Sequence, residues 1–307
     1  MEEKKIRRIA VLTSGGDAPG MNAVIRSVVR TACANGIEVL GINHGYSGLI
    51  NNDFRKLTAR SVDGLLQRGG TMLYTARCQE MMTEEGQQRA ANNCMYLGID
   101  GLVCIGGDGT YRGALALARL GVPCIGVPGT IDNDIGCTEY TIGFDTATNT
   151  AIQCIDKLRD TMQSHERISV VEIMGRRAGH LALNVGCAVG AAAILVPEHE
   201  GNFENDVIEK IRQGRINRRN HHIVIVAEGY PMSTQEVADR VQEQTGMDTR
   251  VTILGHIQRG GAPSARDRIL ATRMGNHAVL TLLAGKDKRI VAVQHGEIID
   301  LDIEEAL

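Results

Sequence analysis

The chain has 307 residues, long enough for more than one hydrophobic core, so two domains, or one with an insertion, are expected. Its 33 basic and 36 acidic residues nearly cancel, and no polybasic run occurs, which argues against nucleic-acid and membrane-surface partners. Three Phe and no Trp leave no stacking platform for single strands, and no apolar run approaches the ~20 residues of a membrane span.

Residues 1–5 lead into no secretory apolar region, and the eight cysteines form no CxxC pair. Several lie inside apolar runs, which reads as reduced core thiols in a cytoplasmic protein. The 36 glycines exceed the usual ~7% and predict many close backbone approaches.

In chain order, residues 6–12 read as a strand, followed by Thr13-Ser14-Gly15-Gly16-Asp17 and a helix over 21–35. Arg26 and Arg30 share a face of that helix, as a solvated face or an anion site. A strand over 37–42 follows. The Gly/Thr-rich stretch 69–78 ends in Arg77-Cys78, which suits a guanidinium laid against a polyphosphate. A polar helix spans 84–97.

The centre of the chain is a strand over 101–105, the loop Gly106-Gly107-Asp108-Gly109-Thr110, a helix over 111–120, and a strand over 123–127. It closes with the loop Pro128-Gly129-Thr130-Ile131-Asp132-Asn133-Asp134. Glycines let backbone N–H groups approach a phosphate, and a helix start offers more. Asp108 suits a magnesium ion carried by a nucleotide, and Asp132 and Asp134 offer a general base. No GxxxxGK[ST] or GxGxxG occurs, so neither a Walker A loop nor the usual dinucleotide fingerprint is present.

Helices over 146–163, 181–189, 205–218, 233–245 and 265–283 alternate with strands over 169–174, 193–196, 222–227, 250–255 and 289–294. Ser233 and Glu236 have capping-box spacing. Alternating strands and helices predict an α/β protein built of two doubly wound, three-layer α/β/α domains with mostly parallel sheets. Arg77, Arg167, Arg176, Arg250 and Arg259 recur near glycine turns, as a site for two phosphorylated ligands requires.

Five ordered motifs carry a resemblance: Thr13-Ser14-Gly15-Gly16-Asp17, Gly106-Gly107-Asp108-Gly109, Pro128 to Asp134, Met174-Gly175-Arg176 and Gly255-His256-Ile257-Gln258-Arg259-Gly260-Gly261. Together they resemble the bacterial ATP-dependent 6-phosphofructokinases, in register over residues 6–307. The resemblance implies the phosphofructokinase fold and glycolytic transfer of the ATP γ-phosphoryl group to the 1-hydroxyl of fructose 6-phosphate. It implies a larger ATP-binding domain (1–143 with 257–307) and a smaller fructose 6-phosphate domain (144–256). It places ATP on Gly16, Arg77, Cys78, Gly107, Asp108, Gly109 and Thr110, with Mg2+ on Asp108. It makes Asp132 the base, with Thr130, Asp134 and Arg176 assisting. It assigns the sugar phosphate to Thr130, Ile131, Asp132, Met174, Gly175, Arg176, Glu228, His256, Ile257, Gln258 and Arg259. Arg167 and Arg250 would come from a neighbouring subunit of a homotetramer.

An effector site for ADP or phosphoenolpyruvate is matched at Arg26, Arg30, Arg159, Gly190, Arg219 and His221. Ala192, Ala59 and Asn217 replace an acid and two arginines of the family pattern, with Arg215 and Arg218 close by, so weak or altered control is expected. Met82 replaces a basic residue near the nucleotide, and Arg177 and His180 change the substrate-side turn. Leu307 falls short of the family's usual final helical segment, so exposed apolar surface is expected there. A non-catalytic, nucleotide-sensing relative would have a broken Asp132 or Arg176, and both are intact.

Pyrophosphate-using relatives carry Asp at the position of Gly109 and Lys at that of Gly129, which block the α-phosphate region and add charge. Two glycines imply ATP. Turnover with fructose 6-phosphate is expected to be faster with ATP than with pyrophosphate, and the reverse order in one coupled assay would overturn this reading.

Overall fold

The structure is a computed structural model that describes residues 6–199 and 201–307, so the reading of residues 1–5 lies outside it. The chain divides into two compact units. The first comprises Met1–Thr130, Ile135–Asp145 and Arg259–Leu307, the second Ile131–Asp134 and Thr146–Gln258. The expected division put 131–134 and 257–258 with the larger unit and 144–145 with the smaller; here each falls on the other side.

The first unit holds β1 (Arg8–Thr13), α1 (Met21–Ala34), β2 (Glu38–Ile42), α2 (Gly45–Asn51), β3 (Phe54–Leu57), α3 (Glu84–Tyr96), β4 (Gly101–Gly106), α4 (Asp108–Arg119), β5 (Cys124–Thr130) and β6 (Ile142–Gly143). The start of α5 (Phe144–His165) follows, and α9 (Ala265–Leu283), β11 (Arg289–Gln294), β12 (Glu297–Asp302) and α10 (Ile303–Ala306) complete it. The second unit holds the rest of α5, then β7 (Ile168–Ile173), α6 (His180–Ala188), β8 (Ala193–Leu195), α7 (Glu209–Ile216), β9 (His222–Ala227), α8 (Thr234–Thr245) and β10 (Thr249–Ile253).

In the first unit the strands run β12-β11-β5-β4-β1-β2-β3, with β6 beside β5. Only β12 and β3, at the two ends, pair antiparallel. Every residue of β4 and β5 is buried, which is why both read as unbroken apolar runs: helices cover both faces of a parallel sheet. One face packs Tyr46, Leu49 and Ile50 of α2, Ala90, Ala91 and Cys94 of α3, and Ala114 and Leu117 of α4 against Leu12, Leu40, Leu102 and Cys104. On the other, α1 meets α9, where the Ser27 hydroxyl donates to the Thr272 carbonyl at 2.6 Å. Each such buried Leu, Ile or Val stabilises the fold by about 1.5–3 kcal/mol.

Pro128 sits inside β5 rather than in a loop. The Leu102 N–H donates to the Pro123 carbonyl, so the odd-numbered residues of β5 bond to β4 and the even-numbered ones face β11. Pairing with β11 runs only to Gly126, so the N–H that Pro128 lacks has no ladder to serve. On β12, burial raises the Asp300 carboxyl, but hydrogen bonds from Arg289, His277 and Lys286 outweigh it and hold it below the usual carboxylate range.

The second unit is an all-parallel sheet, β10-β7-β9-β8. Val207, Ile208 and Ile211 of the helix leading through α7, with Val237 and Val241 of α8, cover one face at Val170, Leu195, Val224 and Val226. The helix expected over 205–218 begins as a π-turn, Glu204–Ile208. Ser233 and Glu236 close the expected capping box. Cys94, Cys104 and Cys124 are core thiols as expected, but Cys187 is exposed. No helix among the described residues is long and apolar enough to cross a membrane.

His222, at the start of β9, is buried, and burial lowers its imidazole pKa from the ordinary 6.5; a hydrogen bond with the Arg219 backbone opposes this, and the charges of His221, Arg219 and Arg215 add smaller lowering effects. The unfolded chain takes up that proton near pH 6.5; the folded chain resists it. The contribution of a neutral His222 is therefore complete above pH 6.5 and is lost as pH falls through the lower folded value. Melting temperature is expected to fall between pH 7 and pH 5, and less steeply in His222→Gln; identical slopes would count against it.

Candidate active site

In the first unit the strand order reverses between β1 and β4, since β2 and β3 lie to one side and β5 and β11 to the other. Ligands of open parallel sheets bind beyond the carboxyl ends at such a reversal. The ends of β1, β4 and β5 all reach this edge, with Thr13 level with Ile105 and Gly106 with Pro128. Both glycine loops start here.

Asp108 was expected in the loop but is the first residue of α4, with Gly107 as N-cap. The first N–H groups of a helix have no partner within it and face an anion well. The Asp108 side chain is half-exposed and meets Arg112 one turn on at 3.1 Å. A Cβ at Gly109 would enter open space, while one at Gly107 would lie 3.8 Å from the Thr130 Cβ. The Gly106–Thr110 loop therefore abuts the end of β5. At Gly129 a Cβ would lie 3.0 Å from Ile105 and 3.3 Å from Met21, so a long side chain there needs the core to yield.

Thr110 is buried, and its hydroxyl donates to the Ser14 carbonyl at 3.2 Å, lashing one loop to the other. Its side chain thus serves the backbone. The Thr75 hydroxyl donates to the Gly15 carbonyl at 2.7 Å, and the Thr13 hydroxyl to the Tyr74 carbonyl at 2.7 Å. These bonds tie the stretch that ends in exposed Arg77 and half-buried Cys78 to the first loop. The sequence places Thr13 and Thr75 in their loops but gives no sign of these ties, because a threonine near glycines has no distinctive spacing. Arg259 lies in this unit too: its Nη1 donates to the Asp17 carbonyl at 2.9 Å, and a Cβ at Gly16 would sit 2.5 Å from that nitrogen.

In the second unit β7, β9 and β10 end together, with Ile173 level with Ala227. Met174, Gly175, Arg176, Glu228 and His256 follow those ends and gather at one edge. The Arg176 N–H donates to Glu228 Oε1 at 2.8 Å, with Arg176 in the left-handed region at φ 55°. Gln258, expected to touch substrate, is fully buried. Its amide accepts from the Met174 N–H at 3.4 Å and donates to the Gly255 carbonyl at 3.1 Å, so it ties β7 to the turn that carries His256 and exposed Ile257. Asp132 and Ile131 pack with this unit, both buried, while Asp134 is exposed.

Arg167 and Arg250 lie at the opposite, amino edge of the same sheet. Both engage Asp248, at 2.5 Å and 3.3 Å. The six residues of β7 span about 20 Å. One chain therefore keeps these two arginines well away from its own Arg176 and Glu228.

Of the effector positions, Arg159 donates to the carbonyl of Val189 beside Gly190. Arg219 lines an open hollow of about 490 Å³ with Lys210, Gln213 and Asn217. His221 is half-buried nearby, while half-buried Arg26 and exposed Arg30 belong to α1 of the first unit.

The family model described as phosphofructokinase matches residues 8–282. The chain belongs to the phosphofructokinase family. It is 54% identical over 302 residues to an ATP-dependent 6-phosphofructokinase of Clostridium botulinum, covering 98% of this chain and 94% of that protein. The corresponding Clostridium acetobutylicum protein matches at the same identity and coverage. Phosphofructokinase from Saccharomyces cerevisiae superposes with TM-score 0.92 at 37% identity; it aligns over 98% of this chain, which spans 45% of the yeast chain. A pyrophosphate-dependent phosphofructokinase of Marinobacter aquaeolei, 22% identical, aligns over 98% of this chain and 84% of its own with TM-score 0.87, a likeness of fold.

The role of Gln258 in this phosphofructokinase-family chain is open to a stability test. Gln258→Leu keeps the volume but strands two backbone groups, at a cost of about 1–3 kcal/mol. The urea midpoint is expected to fall accordingly; an unchanged midpoint would show that the amide bears no such load.

Proposed function

We propose that this protein is an ATP-dependent 6-phosphofructokinase that converts fructose 6-phosphate to fructose 1,6-bisphosphate. The observation that carries the reading is the strand-order reversal between β1 and β4, where two glycine loops, tied by the Thr110 hydroxyl, meet the start of α4 and Asp108. Open space over Gly109 leaves room for a nucleotide's α-phosphate and favours ATP over pyrophosphate.

Phosphoryl transfer needs position and charge neutralisation more than covalent catalysis. Gly16 and the Gly107–Thr110 turn hold the polyphosphate backbone, with Arg77 and Cys78 toward the nucleoside. No group of three acidic, His or Cys side chains among the described residues could cage a metal alone. One half-exposed carboxylate at a helix start fits a magnesium ion that arrives with phosphate oxygens already bound, and Asp108 would hold it. Bound there, Mg2+ would supply positive charge to the transferring phosphoryl group. Asp132 accepts the proton of the sugar 1-hydroxyl, with Thr130 and Asp134 beside it. Arg176, its backbone held by Glu228, offers a guanidinium to the transferring oxygens. His256, Arg259 and Met174 hold the sugar phosphate.

Arg167 and Arg250 belong to this reading only through assembly. Their place at the far edge of the sheet suits service to a neighbour's substrate, in a homotetramer with shared sites. The effector positions are kept, with a weakened response to ADP or phosphoenolpyruvate, and so is a cytoplasmic location.

Asp132→Ser removes the base. A placed general base gives typically 10²–10⁴-fold, so kcat is expected to fall by about that factor while ATP binding persists. Near-normal turnover of the variant would reject the assignment.

A further inference from the structure

Two tyrosines beneath the donor-side loop have no part in the chemistry above. Tyr111 is 1% exposed, and its hydroxyl donates to the Gly106 carbonyl at 2.7 Å. Its ring lies over Gly126 of the neighbouring strand, where a Cβ would stand 2.7 Å from ring atom Cδ1. Gly126 therefore opens the space that the ring fills. Buried Tyr46 donates to the Thr110 carbonyl at 2.5 Å from the side of α2. The two hydroxyls thus hold the carbonyls on either side of the Gly107–Gly109 turn, and the Thr110 hydroxyl carries the restraint on to Ser14.

Tyr111 joins three elements. It grows from the first turn of α4, its ring rests on β5, and its hydroxyl holds the last residue of β4. β4 leads into the Gly106–Thr110 turn, and β5 runs beside it to Thr130. A ring wedged on one strand and bonded to the end of the other fixes how the Gly106–Thr110 turn stands against β5.

We infer that Tyr111, seated on Gly126, is a positioning residue for nucleotide binding: it holds the Gly106–Thr110 turn in the shape that receives the polyphosphate. The inference rests on the proposed ATP-dependent reading. The chemical basis is preorganisation, because a turn that must be ordered by its ligand binds it more weakly. A buried carbonyl that loses its phenol donor relaxes the turn without altering any group that faces the substrate.

The test is Tyr111→Phe in the full chain, which keeps the ring and removes the hydroxyl. The KM for ATP and the dissociation constant for ATP measured by titration are expected to rise about three- to tenfold, with the KM for fructose 6-phosphate within twofold. Gly126→Ala is the second arm. Its methyl displaces the ring from β5, leaves the hydroxyl chemically intact, and is expected to move the same two constants. A mere loss of stability lowers the melting temperature and leaves both ratios alone. Unchanged ATP constants in both variants, or equal rises in the two KM values, would overturn the inference. Wild-type protein assayed alongside separates the readings: absent turnover with ATP and fructose 6-phosphate indicts the proposed function, whereas normal wild-type turnover with unaltered variants indicts only Tyr111.

Discussion

The parallel register of β1, β4 and β5 is the constraint on which the first unit depends. β1 and β4 end almost level beside β5, which runs two residues further, and this puts two glycine turns and the start of a helix along one edge, where the strand order reverses. The side-chain period of a strand is two, so a one-residue slip would exchange the two packed faces and set Ile105 and Val127 against the helices that now cover Leu102 and Cys104. The core thus sets the geometry of the polar edge.

That edge is stiffened by hydroxyls acting on backbone carbonyls. Thr13, Thr75, Thr110, Tyr46 and Tyr111 all donate to main-chain oxygens of the loops or of segments beside them. The acceptors are the last residue of β4, Gly106, the loop residues Ser14, Gly15 and Tyr74, and Thr110 in the first turn of α4, so the bonds join the loops to one another and to the helix start. Restraint of this kind through carbonyl oxygens fixes the shape of the loops without using any of their side chains that carry charge.

The second unit uses its single sheet in two ways. Its carboxyl edge gathers Arg176, Glu228 and His256, and its amino edge holds Arg167 and Arg250 on one carboxylate, Asp248. An acid between two guanidinium groups lowers their mutual repulsion and keeps both extended from one place. Gln258 works differently: a buried amide with a donor and an acceptor suits a strut between one N–H and one carbonyl.

Much of this was legible in order along the chain. Apolar runs such as 101–105, glycine turns behind them and amphipathic helices announced both doubly wound sheets, because period and punctuation are local properties. The capping box at Ser233 and the helix Ala265–Leu283 are of that kind. α2 was not legible: Gly45-Tyr46-Ser47-Gly48 is a poor helix former, bounded by left-handed His44 and Asn52 and supported by packing against β1, β2 and α3. Nor was β12, a half-buried edge strand pinned through Asp300. Chain order also could not separate Arg167 and Arg250 from Arg176, or turn Gln258 from a ligand into a strut. Residue type and local spacing determine which groups are available; only the tertiary structure decided which edge each occupies and which backbone atom each hydroxyl holds, because those pairings join positions tens to hundreds of residues apart through the sheet.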